Sequence, residues 1–171
     1  MGAMNAVEAT CCVETPVGRM VVSATARGVS RVSFVRGGEL GMERQGEPGS
    51  AAMRDRAVAE LREYFEGRRR AFTVPVDQRG TAFQLVVWER LMGIGYGQTA
   101  TYGAIARDLG RVGGARAVGM ANHENAVAVI VPCHRVVGSD GSLTGYAGGV
   151  EVKRWLLEHE SGGVLWKGVG A

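Results

Sequence analysis

The feature that most limits how this chain can fold is a change of pattern around residues 77–80. Before it, from Val7 to Val35, runs rich in Val and Thr are broken by Thr15-Pro16-Val17-Gly18 and by Arg27-Gly28. Such residues favour strands, while Pro and Gly supply the backbone angles of tight turns, so the stretch predicts a small antiparallel meander. A Gly-rich loop, residues 37–50, closes it. Ser50 then stands where a cap would start a helix whose apolar positions Met53, Ala57, Leu61 and Tyr64 or Phe65 recur every three or four residues, with Gly67 as its stop. Residues 71–76 give a further strand candidate, and the basic run Arg68 to Arg70 reads as a solvated helix exit.

After this point short helices and glycine turns take over. Phe83, Val87 and Leu91 share one face of a helix starting near Thr81, and Gly93-Ile-Gly-Tyr-Gly97 forms the next connection. A short helix capped by Thr101 and closed by Gly110 is followed by a Gly113-Gly114 turn and a second helix over residues 115–123, the outline of a helix-turn-helix. In that second helix Ala115, Ala117, Gly119 and Ala121 alternate with Arg116, leaving much of the surface small. Close packing on a neighbouring helix and shallow insertion into a minor groove would both use such a face. The expected fold class is therefore α/β (α+β), with an α/β domain over residues 1–78 and a mainly helical domain over residues 79–171.

Composition removes several alternatives. Apolar residues make up 46% of the 171, enough for packed cores, and 27 glycines imply many tight turns. No run of about 18 uncharged apolar residues occurs, and no basic stretch leads into an apolar one at the N-terminus, so neither a membrane span nor a secretory signal is expected, and the protein is read as soluble and cytoplasmic. The opening Met1 to Met4 reads as a tag remnant with a second start at Met4. The net charge of +3 permits a nucleic-acid partner without arguing for one. Cys11 and Cys12 are neighbours that cannot bridge each other and read as small apolar residues of a strand. With His123, His134 and His159 as the histidines and no C-x-x-C pair, no metal site is expected.

Chemistry concentrates where the apolar run Ala126 to Val131, read as a strand buried on both faces, ends at Pro132-Cys133-His134-Arg135. A thiol beside an imidazole can be an activated sulfur nucleophile, or a buried structural cysteine next to a satisfied surface histidine. Neighbours in extended chain point to opposite sides, so His134 needs a bend or a bridging water to serve Cys133. In the last helix, predicted from Glu151 to about Glu160, the stripe of Val152, Trp155 and Leu156 continues to Glu160. On that inward face a carboxylate needs a partner, and the imidazole of His134 would supply one; in a frayed helix end Glu160 would stand in solvent. In the first case Cys133, His134 and Glu160 form a relay of the catalytic-triad kind.

The segment Ile130-Val-Pro-Cys-His-Arg-Val-Val137 resembles the active-site signature of the methylated-DNA-protein-cysteine methyltransferases, or alkylguanine-DNA alkyltransferases. Thr101 to Ala106, Ala115 to Gly119, Asn125, Thr144 to Tyr146, Gly148-Gly149, Lys153 and Trp155 to Glu160 are similar to that family's C-terminal domain, and residues 1–78 resemble its ribonuclease-H-like domain in general pattern.

The resemblance implies a winged helix-turn-helix-like DNA-binding motif. It implies stoichiometric, irreversible transfer of a methyl or larger alkyl group from O-6 of guanine, and from O-4 of thymine, in DNA to Cys133. His134, Glu160, Tyr102, Asn125 and Lys153 assist: Tyr102 donates to the departing base, Asn125 orders the turn between the helix and the strand, and Lys153 braces the pocket. Arg116 fills the space of the flipped nucleotide, and Ala115, Ala117, Gly119, Ala121 and Asn122 join Tyr102 at the minor groove. Pro132, Val136, Tyr146, Ala147 and Gly148 line the base pocket, with the carbonyls of Cys133 and Val136 on the guanine amino group and the amide of Ala147 on O-6. No cofactor is implied, since damaged double-stranded DNA is itself the alkyl donor. The implied state is a monomer able to cluster on DNA, without a membrane partner. Ala126, Ala128, Ala147 and Glu124 depart from residues seen in some members and leave pocket width open. The alternative is an alkyltransferase-like protein that binds lesions without transfer.

Overall fold

Strand alternation and helix caps account for most of the architecture. The structure, a computed structural model, describes residues 7–35 and 43–168; the reading of Met1 to Met4 and the first part of the Gly-rich loop lie outside them. The chain divides into two compact units, Met1–Arg79 and Gly80–Ala171.

In the first unit, β1 (Ala9–Thr15), β2 (Gly18–Thr25) and β3 (Gly28–Phe34) form an antiparallel sheet in the order β1-β2-β3. Ala9, Val13, Met20, Val22 and Ala24 are buried, as period-two alternation requires when one face is covered. A register shift between Ser23 and Ala24 then lets β3 turn Val29 and Val32 inward. The cover is α1 (Pro48–Phe65), which presents Ala57, Leu61 and Tyr64.

Two expectations are corrected here. Ser50 does not cap α1: Glu47 holds the cap position and Pro48 opens the helix, because proline's missing N–H costs nothing in the first turn. Ser50 is buried inside the first turn. Residues 71–76 are not a strand, although Val76 makes an isolated bridge with Val29. The chain there bends to satisfy buried Glu60, whose carboxylate accepts from the amides of Thr73 and Val74 at 2.8 and 3.1 Å and from the Thr73 hydroxyl at 2.6 Å. Cys11 and Cys12 are half-buried in β1 and beside a groove that also touches Arg54 and Asp55.

In the second unit, α2 (Ala82–Met92) begins with a reciprocal capping box between Thr81 and Gln84. The two-residue β4 (Ala100–Thr101) leads into α3 (Tyr102–Asp108), where the Thr101 hydroxyl accepts from the amide of Ala104 at 3.1 Å. Gly110 and Gly113 have φ of +68° and +78°, values that favour glycine, and they shape the turn into α4 (Ala115–His123). Trp88 of α2 donates its indole N–H to the Ala121 carbonyl at 2.7 Å, and Arg90 pairs with Asp108 of α3. A 3-10 turn over Cys133–Arg135 runs into β5 (Val136–Val137), parallel to β4, and α5 (Val150–Glu160) packs against that turn.

Candidate active site

The run Ala126 to Val131 is buried almost throughout but is not a strand. Val129 has φ of +71°, and the Ile130 amide donates to the Ala128 carbonyl at 2.9 Å, a γ-turn of the strained kind, which reverses the chain within four residues. Asn125 holds this reversal: its Nδ2 donates to the Val131 carbonyl at 2.9 Å and its Oδ1 accepts from the Val127 amide at 3.0 Å. Apolar content alone cannot distinguish a buried strand from a buried turn tied by one side chain, because both exclude water. Beyond the turn, Cys133 donates its amide to the Val131 carbonyl at 2.8 Å and enters the 3-10 turn, which is the bend that extended chain would lack.

Burial pushes the Cys133 thiol above its ordinary range, while contacts with Asn125, Lys153 and Tyr146 act in the opposite direction. The resting sulfur is therefore a thiol that needs a base. His134, fully buried, is next to it. Its Nε2 lies 2.7 Å from Glu160 Oε1, and a carboxylate can only accept, so Nε2 carries the hydrogen and Nδ1 keeps the lone pair. Nδ1 has no hydrogen-bond partner among the described residues. Burial lowers the affinity of His134 for a second proton, more than the hydrogen bond and charge of Glu160 raise it, so the ring is neutral and able to act as a base.

Glu160 is the most heavily engaged group. Burial alone would raise its carboxyl, yet hydrogen bonds and charges from His134 and Arg135 hold it far below the carboxylate range. Arg135 was absent from the residues singled out by sequence, and it forms a fork: Nε to Oε2 and Nη2 to Oε1, both at 2.9 Å, with Nη1 on the Ile94 carbonyl at 2.5 Å. The Gly97 amide adds a hydrogen bond to Oε2 at 3.1 Å. The signal for Arg135 was present: a cation in a run this apolar must find a buried anion, and Glu160 was the inward one.

A second chain of contacts approaches from the other side. Lys153, buried on α5, donates to the Thr144 carbonyl at 3.1 Å, and burial brings its ammonium down to about 8. The Thr144 hydroxyl donates to the Tyr102 oxygen at 3.2 Å, which leaves the Tyr102 O–H to donate elsewhere. Burial raises the Tyr102 phenol and raises that of Tyr146, beside Cys133, much further, so both stay protonated.

Of the pocket residues, Pro132 and Val136 are buried on either side of the turn, Gly148 is half-buried and Ala147 is exposed. On α4, Arg116 and Ala117 are exposed, Ala115 and Gly119 half-buried, and Gly119 lies against the Tyr102 ring. Ala121 and Asn122 face inward, and Asn122 reaches the Cys133 carbonyl. The structure thus gathers Cys133, His134, Glu160, Asn125, Lys153 and Tyr146 into one centre, with Tyr102 at its edge. Among the described residues no group of side chains could hold a metal ion and no helix is long and apolar enough to cross a membrane.

Comparison with known proteins agrees with this arrangement. Residues 82–162 match the family model for the DNA binding domain of 6-O-methylguanine DNA methyltransferase, and residues 11–78 match that for its ribonuclease-like domain. A methylated-DNA--protein-cysteine methyltransferase of Methanosarcina acetivorans is 40% identical over 147 residues, which span 86% of this chain and 94% of that one. The chain belongs to the 6-O-methylguanine DNA methyltransferase family.

Within the family, the protein of the same name from Mycobacterium bovis is 55% identical over 104 residues, 61% of this chain and 63% of its own length. The crystal structure of Mycobacterium tuberculosis O6-methylguanine methyltransferase superposes with a TM-score of 0.78 at 39% identity, covering 91% of this chain and 93% of that one. A structure of the Mycobacterium tuberculosis protein in complex with DNA gives the same TM-score at 40% identity, covering 88% and 91%.

Proposed function

We propose that this chain repairs DNA directly, taking an alkyl group from O-6 of a guanine flipped out of the duplex, or from O-4 of thymine, onto Cys133 and keeping it there. The observation that carries the reading is a buried thiol followed in the chain by a buried neutral imidazole whose Nε2–H is committed to Glu160 and whose Nδ1 has no hydrogen-bond partner among the described residues. Such a base, with its lone pair on Nδ1, is available to take the thiol proton. The thiol proton passes to Nδ1 across a bridging water as Sγ bonds to the alkyl carbon in line with the breaking carbon–oxygen bond. The released electron pair goes to O-6, where the Tyr102 hydroxyl supplies a hydrogen bond or proton. A flipped base is required because a nucleophile cannot reach an atom inside the stack.

The product is a thioether, which no neighbouring group can displace, so each molecule acts once. On α4, exposed Arg116 enters the space left by the base, and Ala117 lets the backbone approach the minor groove. No cofactor is called upon, and the working place is the cytoplasm. A lesion-binding protein without transfer would have no use for a buried thiol beside a fixed base. The relatives in Methanosarcina acetivorans and Mycobacterium bovis are methylated-DNA--protein-cysteine methyltransferases, which supports transfer.

Mixing the protein with duplex DNA containing 6-O-methylguanine should add one methylene to its intact mass, at Cys133, and restore guanine. Cys133→Ser should abolish the gain while retaining duplex binding. A persisting lesion with unmodified protein would refute transfer.

A further inference from the structure

Thr144 ties two elements of the site together. Its carbonyl accepts from Lys153 Nζ on α5 at 3.1 Å, and its hydroxyl donates to the oxygen of Tyr102, the first residue of α3, at 3.2 Å. Thr144 itself is exposed, so the bond from buried Lys153 is what fixes its peptide and aims its hydroxyl at Tyr102. The Tyr102 ring is confined as well: a Cβ added to Gly119 of α4 would lie 3.9 Å from it, and Lys153 Nζ stands 5.9 Å from its centroid. With the ring held, what Tyr102 can do depends on the direction of its one O–H hydrogen.

A phenol oxygen carries one hydrogen and accepts through its lone pairs. With the Thr144 hydrogen on a lone pair, the Tyr102 hydrogen is turned away from Thr144 and can be given to a base. The same bond favours the charged form of the phenol and so opposes the rise that burial causes. We infer that Thr144 is a positioning residue for the transfer, keeping Tyr102 a donor and stabilising the charge that Tyr102 takes on. As Sγ bonds to the alkyl carbon and the carbon–oxygen bond breaks, the electron pair passes into the base. Tyr102 shares its proton with that base, its oxygen gains negative charge, and the O–H of Thr144 donates more strongly to it. This inference rests on the transfer reading above, with Tyr102 as the donor.

The test is a double-mutant cycle. Single-turnover rates on saturating duplex containing 6-O-methylguanine, read by intact mass, are compared for the wild-type protein, Thr144→Val, Tyr102→Phe and the double variant. Thr144→Val keeps the size and branching of an exposed side chain and removes only its hydroxyl. It should slow transfer about fivefold, the scale of one hydrogen bond exchanged in part with water, and leave duplex affinity unchanged. On the Tyr102→Phe background, where no oxygen receives the bond, it should cost nothing further. Thr144→Ser should recover most of the rate that Thr144→Val loses. A Thr144→Val protein as fast as the wild type, a loss that persists in full on the Tyr102→Phe background, or a Thr144→Ser protein as slow as Thr144→Val overturns the inference and leaves Thr144 a loop residue. Absence of transfer by the wild-type protein, or a Tyr102→Phe protein as fast as the wild type, refutes the underlying reading instead.

Discussion

The two nitrogens of His134 have different roles, and the carboxylate of Glu160 decides which is which. Because burial lowers the ring's proton affinity, the acid limb of the transfer rate should fall below pH 6.5, the ordinary value for histidine. Glu160→Gln removes the contacts that raise His134, so this limb should move to still lower pH while the plateau rate drops by about 100-fold, the scale of general-base assistance. Stopped reactions at a series of pH values, read by intact mass, check both; an unchanged rate would remove Glu160 from the mechanism. Sign matters for stability as well. Glu160 titrates lower in the folded chain than in the unfolded one, so its contribution is complete above about pH 4.5 and is lost as pH falls.

Among elements, the turns most clearly separate what was legible from what was not. The helix from Thr101 and the one over residues 115–123 could be read from a capping threonine and flanking glycines, because those effects act within one turn of chain. The inward face of α5 was legible too, since Leu156 and Glu160 are one helical turn apart. The γ-turn at Val129 was not, because a β-branched residue at positive φ opposes its own local preference and is held there by Asn125 and by burial. Arg135 was missed for a related reason: its partners, Ile94 and Glu160, are far away in sequence. Gly97 provides a test of these long-range ties. Its φ is +72° and an added Cβ would stand 3.1 Å from the Glu160 carbonyl, so Gly97→Ala should cost about 1–3 kcal/mol and slow transfer by disturbing Glu160. Chemical denaturation and the mass-based rate measure the two effects separately.

For the whole molecule, the question is how a chain with net charge of only +3 engages a polyanion. Around the helix pair, Arg107, Arg111 and Arg116 are exposed, while Arg90 is occupied by Asp108. Three cations released to phosphates would give a dependence of log affinity on log salt no steeper than about −3, at about −0.9 per phosphate. Titration of a labelled duplex at several salt concentrations checks this, and a much steeper slope would mean that further basic residues of the chain reach the backbone.

Cys133, the acceptor, is only 4% exposed, and Asn125, Lys153 and Tyr146 surround its sulfur. Every lesion removed therefore leaves an extra carbon in a space already filled, an overpacking worth about 1–3 kcal/mol. Spent molecules should melt at a lower temperature than fresh ones. In a partly reacted sample, scanning calorimetry should resolve two populations whose ratio equals the fraction of protein consumed. The molecule would then carry its own tally of damage, written as heat lability.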